Sequence, residues 1–522
     1  MIRLLIVGLA CLWLSAPVAL GLTLNRGNGA EPDTLDPQKY NLTVELNIIA
    51  DLFEGLVTAD EKGNPIPGIA ERWDVSADGT VYTFHLRPDL KWSDGVALTA
   101  DDVVAGFRRG VDPKTGAQLV DLAYVVKNAR AIAHGEMPPD QLGVRAVDAR
   151  TVEVTLEGPS ATFIRLAGNF ALFFPVPRHV LAAAGDQWVR PGVMVSNGPY
   201  KLAEWTPQAR VRLVRNPAYW NAASVKVDEV DFYPAADENA ALKQFRNNEL
   251  DFHLGFPVAQ IEWLRRNMPN EMHLDPASTV TFLAVNQAKA PFNDVRVRRA
   301  LSLAIDRDTL TARVLNAGQV PAYHFAPLII EGWKPSPDVE FGTIPLAQRQ
   351  AEARKLLAEA GYGPDHPLTF RFDYRAGDAN RKAVVAIAGM WAQIGVQADL
   401  QANEVKVHYA KIRQKDFEVA DAGWQGTPDP EFFVLLLRST SESNYGSWSN
   451  AEFDRLTDEA SITLDPAKRM TLYVEADRIA MQDVAFIPVM YGAHRALVHT
   501  WVTGFAGNAL NAHLSRFIGL ER

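Results

Sequence analysis

Acidic side chains and histidines are plentiful in this sequence, but their spacing matches no common catalytic motif. The chain has 62 Asp+Glu and 11 His. It contains neither the His-Glu-x-x-His pair of zinc proteases nor the Gly-x-Ser-x-Gly turn of serine hydrolases. Gly361-Tyr362-Gly363 follows a predicted helix instead of opening one, so it does not form a dinucleotide-binding fingerprint. The pattern favours a binding protein over an enzyme, and it predicts no metal or other cofactor.

The single cysteine, Cys11, lies in an N-terminal segment that has the features of a secretory signal. A short basic start precedes an apolar run over 4–14, and small residues follow that run. This layout predicts a signal peptide over 1–21, cleaved after Ala19 or Gly21, and a periplasmic mature chain without cysteine. Two alternatives stay open: the segment remains as a membrane anchor, or Cys11 carries a lipid anchor.

The composition is that of a folded protein with several domains. With 48% hydrophobic and 22% charged residues, the chain does not match disordered proteins. Its 522 residues predict roughly three domains. The formal net charge of −10 disfavours nucleic acid as a partner, because phosphate binding needs a basic surface. Trp92 and Trp424 lie in glycine-containing loops, where each forms either part of the core or a wall of a ligand cavity.

Strand and helix patterns interleave along the chain after the signal segment. Val81–Leu86 alternates apolar and polar residues as a half-buried strand does, and 345–360 has apolar residues at helical spacing before Gly361. Further strands are predicted over 151–156, 211–214 and 227–233, and further helices over 381–394 and 465–481. This interleaving predicts an α/β fold.

Short motifs in a fixed order, from about Asn25 to the C-terminus, together resemble one protein family. They include Thr34-Leu35-Asp36-Pro37, Pro67-Gly68-Ile69-Ala70, Lys91-Trp92-Ser93-Asp94-Gly95, Asn197-Gly198-Pro199-Tyr200 and Pro291-Phe292-Asn293-Asp294. Each motif alone is moderately specific, but the ordered set is highly specific. The chain is therefore identified as a member of solute-binding protein family 5, the oligopeptide- and dipeptide-binding proteins of ABC importers.

The resemblance implies a two-lobed periplasmic-binding-protein fold of the α/β class, with two hinge strands and an extra α/β domain inserted in the first lobe. The implied limits are 22–53, 175–277 and 494–522 for lobe I, 54–174 for the extra domain and 278–493 for lobe III. The chain would cross between the lobes near 277–283 and again near 491–494. A monomer would enclose its ligand as the lobes close and would then deliver it to a membrane permease, with no bond made or broken.

The resemblance also implies where a ligand binds. A receptor for peptides of many sequences has to bind the backbone and the two charged ends, which all peptides share. The implied backbone-pairing segments are 41–43 and 422–424. The ligand-binding candidates are Asn41, Leu42, Thr43, Phe282, Arg375, Arg413, Asp421, Ala422, Gly423, Trp424, Thr427, Asp429 and Tyr445.

The subsite for the peptide's amino end departs from the family's pattern. The ammonium-binding aspartate of the family falls on Thr427, in a loop that is one residue shorter than usual. Asp429 either takes over the role of that aspartate or only matches an acidic-proline pair that commonly follows it in the family. Both interpretations stay open on the sequence.

The subsite for the carboxyl end departs further. A basic position of the family falls on Asp421, where a carboxylate would repel the ligand's own carboxylate. Two other basic positions fall on Leu315 and Ile412, the second next to Arg413, and a histidine position falls on Asn380, with Arg375 and Arg381 nearby. Either the register is off by one or two residues, or the cleft accepts a longer, modified, cyclic or wall-derived peptide, or a ligand with a cationic group near Asp421.

Three functions remain possible on the sequence. The first is the peptide receptor of an ABC importer. The second is a receptor of the same fold for another solute, such as an opine, a saccharide or a metal chelate. The third is an exported hydrolase on an α/β scaffold.

Overall fold

The computed structural model describes residues 21–339 and 341–522. Its strands are β1 (Thr23–Gly27), β2 (Val57–Ala59), β3 (Pro65–Pro67), β4 (Ala70–Val75), β5 (Val81–Leu86), β6 (Val144–Asp148), β7 (Thr151–Thr155), β8 (Tyr200–Thr206), β9 (Arg210–Arg215), β10 (Glu229–Tyr233), β11 (Phe252–His253), β12 (Met272–Val285), β13 (Val320–Pro321), β14 (Leu368–Arg375), β15 (Val396–Asn403), β16 (Val419–Gln425), β17 (Ile487–Val498), β18 (Val502–Thr503) and β19 (Gly519–Leu520). Its helices are α1 (Thr43–Leu52), α2 (Ala100–Val111), α3 (Ala129–Ala133), α4 (Phe163–Asn169), α5 (Arg178–Ala184), α6 (Glu238–Arg246), α7 (Ile261–Asn267), α8 (Val295–Leu303), α9 (Arg307–Thr309), α10 (Leu346–Glu359), α11 (Asp378–Ala392), α12 (Val405–Arg413), α13 (Glu431–Val434), α14 (Ala451–Ile462) and α15 (Pro466–Gln482).

The α/β class predicted from the sequence patterns is confirmed. Strand β5 buries every second residue, as its alternation predicted. Helices α10 and α11 are followed by Gly361 and Gly395, whose φ angles of 93° and 82° lie in the left-handed region that glycine adopts without strain. Helix α11 begins at Asp378, three residues before its predicted start at Arg381.

One large sheet runs through both lobes and carries the two hinge strands. Its order is β15-β14-β16-β12-β17-β11-β1-β10-β9-β8, with β13 also on β17. Strands β12 and β17 are long and antiparallel, and they pair from Met272 opposite Leu497 to Leu283 opposite Ile487. Because each of them belongs to both halves of the sheet, these strands join the lobes, and the expected two-lobed architecture is confirmed.

The pairing of the two hinge strands is irregular near its middle. Pro276 pairs with Ala493 and Val280 pairs with Tyr491, so three residues of β12 lie opposite Gly492 alone. Such a bulge bends a strand and interrupts its ladder of hydrogen bonds. The irregularity therefore lies where both chain crossings between the lobes were expected.

The extra domain is built on a separate four-stranded sheet of order β4-β5-β7-β6. Its core contains the ring of Phe163, which packs edge-on against Tyr82 at 4.9 Å and against Phe84 at 6.4 Å between ring centroids. Trp92 is fully buried, so it belongs to the core and does not line a ligand cavity. These elements lie inside the segment 54–174, whose limits stay a prediction.

The predicted signal segment lies almost entirely outside the described residues. Residues 1–20, which include Cys11, are not among them, so the cleavage and lipid-anchor predictions stay untested. Within 21–339 and 341–522, no helix has both the length and the apolar character needed to cross a membrane.

Candidate ligand-binding site

Strand β16 has an open edge between the lobes. It pairs with β12 along its whole length, but it pairs with β14 only at Val419 and Ala420. The remaining five residues, 421–425, therefore have no second strand partner within the described part of the chain. An extended peptide can add to such an edge through backbone hydrogen bonds. This segment, which we call the open edge of β16, contains the predicted backbone-pairing residues 422–424.

The hydroxyl of Tyr409 covers part of the open edge. It lies 3.3 Å from both the backbone nitrogen and the backbone oxygen of Gly423, accepting a hydrogen bond from the first and donating one to the second. Both backbone groups of Gly423 therefore point away from β12. These two bonds are long for their kind, so a peptide strand can replace them with shorter bonds.

Arg375 and Asp421 form a buried ion pair beside this edge. The Arg375 side chain contacts Asp421 Oδ2 through Nε at 2.8 Å and through a terminal guanidinium nitrogen at 2.7 Å. The backbone N–H of Arg375 donates to Oδ1 at 2.7 Å. Burial lowers the pKa of Arg375, but the charge and hydrogen bonds of Asp421 outweigh burial and raise it overall. The expectation that Asp421 repels a ligand carboxylate or attracts a ligand cation is therefore corrected, because its charge is already paired.

Arg413 has no ion pair with an acidic side chain among the described residues. It is the last residue of α12, and it is exposed. Burial raises the pKa of Tyr445, whereas the charge of Arg413 and its hydrogen bond to Tyr445 lower it. The rings of Tyr445 and Tyr409 lie 6.4 Å apart, so Arg413, Tyr445 and Tyr409 lead from the end of α12 to the open edge. This group offers a positive charge to a carboxylate.

Asn41, Leu42 and Thr43 lie at the start of α1 in lobe I, and all three are exposed. The backbone N–H groups of Asn41 and Leu42 donate to Glu45 Oε2 at 2.9 and 3.0 Å, so the first turn of α1 already uses these donors. Their predicted pairing with a ligand backbone stays a prediction.

The two candidates for the amino-end subsite have different surroundings. Asp429 binds Arg469 through both of its carboxylate oxygens, at 2.7 and 2.9 Å, and Glu431 binds the same guanidinium at 2.5 Å. The carboxylate of Asp429 therefore stabilises lobe III in this conformation. Thr427 is buried and lines a cavity between the lobes.

Three further candidates are buried or half-buried within lobe III. Phe282 has no exposed surface, and its ring packs between Phe325 and Phe486 at centroid distances of 5.0 and 4.9 Å. We therefore correct its assignment: it belongs to the core of lobe III in this conformation. The half-buried Trp424 donates its indole N–H to the carbonyl oxygen of Phe432 at 2.8 Å. Ala422 is fully buried.

A cavity of about 380 Å³, which we call the α1 cavity, begins where the open edge of β16 ends. Lobe III contributes 425–427 to its wall, α1 contributes Thr43, Leu46, Asn47 and Ala50, and Phe53 follows α1 directly. The extra domain and the C-terminal segment complete the wall, mainly through Phe170, Phe174, Leu510 and Leu514. The lining residues share one face of α1, which mixes polar and apolar side chains.

Among the described residues, no group of three or more His, Cys, Asp or Glu side chains could hold a metal ion.

Comparisons with known proteins show the family to which this chain belongs. The sequence profile described as "Bacterial extracellular solute-binding proteins, family 5 Middle" matches residues 64–445. The chain belongs to this family. It is 38% identical over 490 residues to the periplasmic oligopeptide-binding protein OppA of Salmonella typhimurium, covering 93% of this chain and 90% of that protein. It is 36% identical over 482 residues to the periplasmic murein peptide-binding protein MppA of Escherichia coli, covering 92% and 89%.

A solved structure of a family 5 member also resembles the whole fold. The unliganded open form of the periplasmic murein tripeptide-binding protein MppA superposes with a TM-score of 0.90 at 35% identity, covering 96% of this chain and 98% of that one. The arrangement of the lobes in this chain is therefore similar to the arrangement in that structure.

Proposed function

We propose that this chain is the extracytoplasmic receptor of an ABC importer and that it captures peptides or peptide-like ligands between its lobes. The observation that carries the proposal is the open edge of β16, which offers backbone groups to an extended ligand. Backbone pairing does not depend on the ligand's side chains, so it suits a receptor for peptides of varied sequence.

The proposed cycle needs no reaction chemistry. A peptide replaces the hydroxyl of Tyr409 on Gly423, and its carboxylate approaches Arg413. The lobes then close around the ligand by bending at the irregular segment of β12 and β17. A permease in the inner membrane recognises the closed form and receives the ligand. The receptor works as a periplasmic monomer after cleavage of its signal peptide.

The identity of the ligand class is tested by native mass spectrometry of the purified protein, since clefts of this kind can retain a bound solute. A peptide-sized mass that is lost on unfolding is the expected result. A saccharide or opine mass would contradict peptide binding. Catalytic turnover of a candidate substrate, abolished by changing one acidic residue, would instead support a hydrolase.

The role of Arg413 is tested by calorimetry with tetrapeptides that end in either a free carboxylate or an amide. Arg413→Gln should weaken binding of the free acid by about 1.5–3 kcal/mol, the range for a hydrogen bond to a charged group. It should change binding of the amide much less. Arg455→Gln on the exposed face of α14 is the matched control. Equal losses of affinity for the acid and the amide would show that Arg413 does not bind the ligand's carboxylate.

A further inference from the structure

We propose that the α1 cavity takes an uncharged, apolar group at the amino end of the bound peptide, so that the preferred ligands are peptides with an acylated amino terminus. This inference rests on the proposed peptide-binding function and narrows its substrate class. Three properties of the cavity carry it: its position along β16, the apolar and aromatic part of its wall, and the presence of a single carboxylate, Asp60, which already closes a turn.

The position of the cavity follows from the direction of β16. Arg413 contacts Tyr445, and the next residue, Gly446, accepts the backbone N–H of Gln287 just beyond Val285, which pairs with Val419 at the start of β16. The cavity begins at 425–427, at the opposite end of the strand. A peptide whose carboxylate is drawn to Arg413 therefore directs its amino end towards the cavity. The four residue steps from Gly423 to Thr427 span roughly 13 Å in extended form, so a peptide of about four residues that pairs with Gly423 reaches the cavity.

The wall of the cavity is chemically suited to an apolar group. Its apolar lining includes Leu46 and Ala50 of α1, Phe53 directly after α1, and Phe170 and Phe174 of the extra domain. Its volume of about 380 Å³ lies within the range of roughly 300–1,000 Å³ that is typical of small-molecule pockets. Pockets of that kind are lined mainly by apolar and aromatic side chains, with a few polar groups that orient the ligand.

The polar groups of the wall offer little to a positive charge. Burial, together with the charge of Arg26, lowers the pKa of His513 to about 3, so this imidazole is neutral at pH 7. Thr427 presents a neutral hydroxyl, and the carboxylate of Asp429 is held by Arg469. A buried ammonium without an acidic partner is costly, whereas an amide or an acyl chain is not.

Asp60 is the one carboxylate among the described residues of the wall. Its Oδ1 already accepts the backbone N–H groups of Lys62 and Asn64, at 2.9 and 2.8 Å, and so closes a turn. Its Oδ2 accepts only a long bond of 3.4 Å from the side chain of Asn64. The test therefore has to separate an apolar subsite from an ammonium site at Asp60.

The experiment is calorimetry on the mature protein with three tetrapeptides of one sequence and a free carboxylate. Their amino ends are a free amine, an N-acetyl group and an N-hexanoyl group. We expect the hexanoyl peptide to bind at least about tenfold more tightly than the free amine, because burial of extra CH2 groups adds to its affinity. A free amine that binds as tightly as the hexanoyl peptide, or more tightly, overturns the inference.

Two variants test whether the preference for the hexanoyl peptide arises in the α1 cavity. Ala50→Phe fills the cavity and should abolish the advantage of the hexanoyl peptide, whereas Val385→Phe on the exposed face of α11 should leave it unchanged. Thr427→Asp supplies an acid and should reverse the order in favour of the free amine. An unchanged hexanoyl preference in a folded Ala50→Phe variant places the acyl group elsewhere and contradicts the proposal.

Three remaining outcomes are equally decisive. If Asp60→Asn weakens binding of the free amine by tenfold or more without affecting the acyl peptides, the cavity is an ammonium site and the inference fails. If none of the three peptides binds, the proposed function fails. If all three bind with equal affinity, peptide binding stands and only the acyl preference fails.

Discussion

The ion pair between Arg375 and Asp421 determines the charge next to the open edge of β16. Asp421 is buried, and its carboxylate is held by three contacts from Arg375. The pair is neutral as a unit, so Arg413 supplies the available positive charge. A ligand carboxylate can therefore dock near Asp421 even though that residue is acidic.

Replacing Asp421 should destabilise the protein instead of improving carboxylate binding. Asp421→Asn leaves the guanidinium of Arg375 buried without its counter-charge, and we expect a loss of about 3 kcal/mol in the free energy of unfolding. Asp421→Arg should be worse, because it adds a second buried cation. Urea unfolding monitored by tryptophan fluorescence measures the free energy of unfolding of both variants.

The control for this experiment is Glu452→Gln, which removes one partner of an exposed ion pair with Arg455. Such surface pairs contribute about 0–1 kcal/mol, so this variant should unfold near the wild-type midpoint. A loss for Asp421→Asn no larger than that of the control would mean that the buried pair contributes little.

At the scale of elements, the two hinge strands meet with little free space where their pairing is irregular. The backbone N–H of Gly492 donates to Thr279 Oγ1 at 3.1 Å. A Cβ atom added at Gly492 would lie 2.1 Å from that same oxygen. The two strands can approach this closely only because position 492 has no side chain.

Gly492→Ala should therefore disturb the hinge. We expect a destabilisation of about 1–3 kcal/mol, the usual range for overpacking, together with weaker peptide binding because the hinge geometry changes. Urea unfolding and calorimetry on the same preparation measure the two effects.

A double-mutant cycle identifies the cause. Thr279→Ala removes the obstructing oxygen, so the Thr279→Ala/Gly492→Ala variant should regain most of the stability lost by Gly492→Ala. Losses that simply add would show that the contact with Thr279 is not responsible.

At the scale of the whole molecule, the open edge and the α1 cavity have walls from separate parts of the chain. The cavity is lined by lobe I, the extra domain, lobe III and the C-terminal segment. In the proposed cycle, a ligand enters from solvent before these walls move together. Binding and closure are then one coupled process.

A bound peptide should shift the molecule from the open to a closed arrangement. We expect the radius of gyration from small-angle X-ray scattering to fall on addition of a tetrapeptide with a free carboxylate. The thermal midpoint should rise as well, since a ligand at 100 times its Kd stabilises the folded state by about 2.7 kcal/mol. A matched disaccharide is the control, and a peptide that binds without changing the scattering would contradict hinge closure.

Local patterns were sufficient to predict much of the fold. The alternation in Val81–Leu86 and the helical spacing before Gly361 correspond to β5 and α10, because side-chain periodicity follows from backbone geometry. The ordered motifs indicated the family, and the family indicated the two lobes and their hinge strands. The family resemblance also indicated the segment 422–424, which lies on the open edge of β16; its pairing with a ligand stays a prediction.

The partners of the charged residues were decided only by the tertiary structure. Arg375 and Asp421 are 46 positions apart, and Asp429 and Arg469 are 40 apart, so no local pattern pairs them. The α1 cavity likewise needs walls from four segments of the chain. Periodicity is a property of neighbouring residues, whereas electrostatic pairing and enclosed space depend on which distant segments the fold brings together.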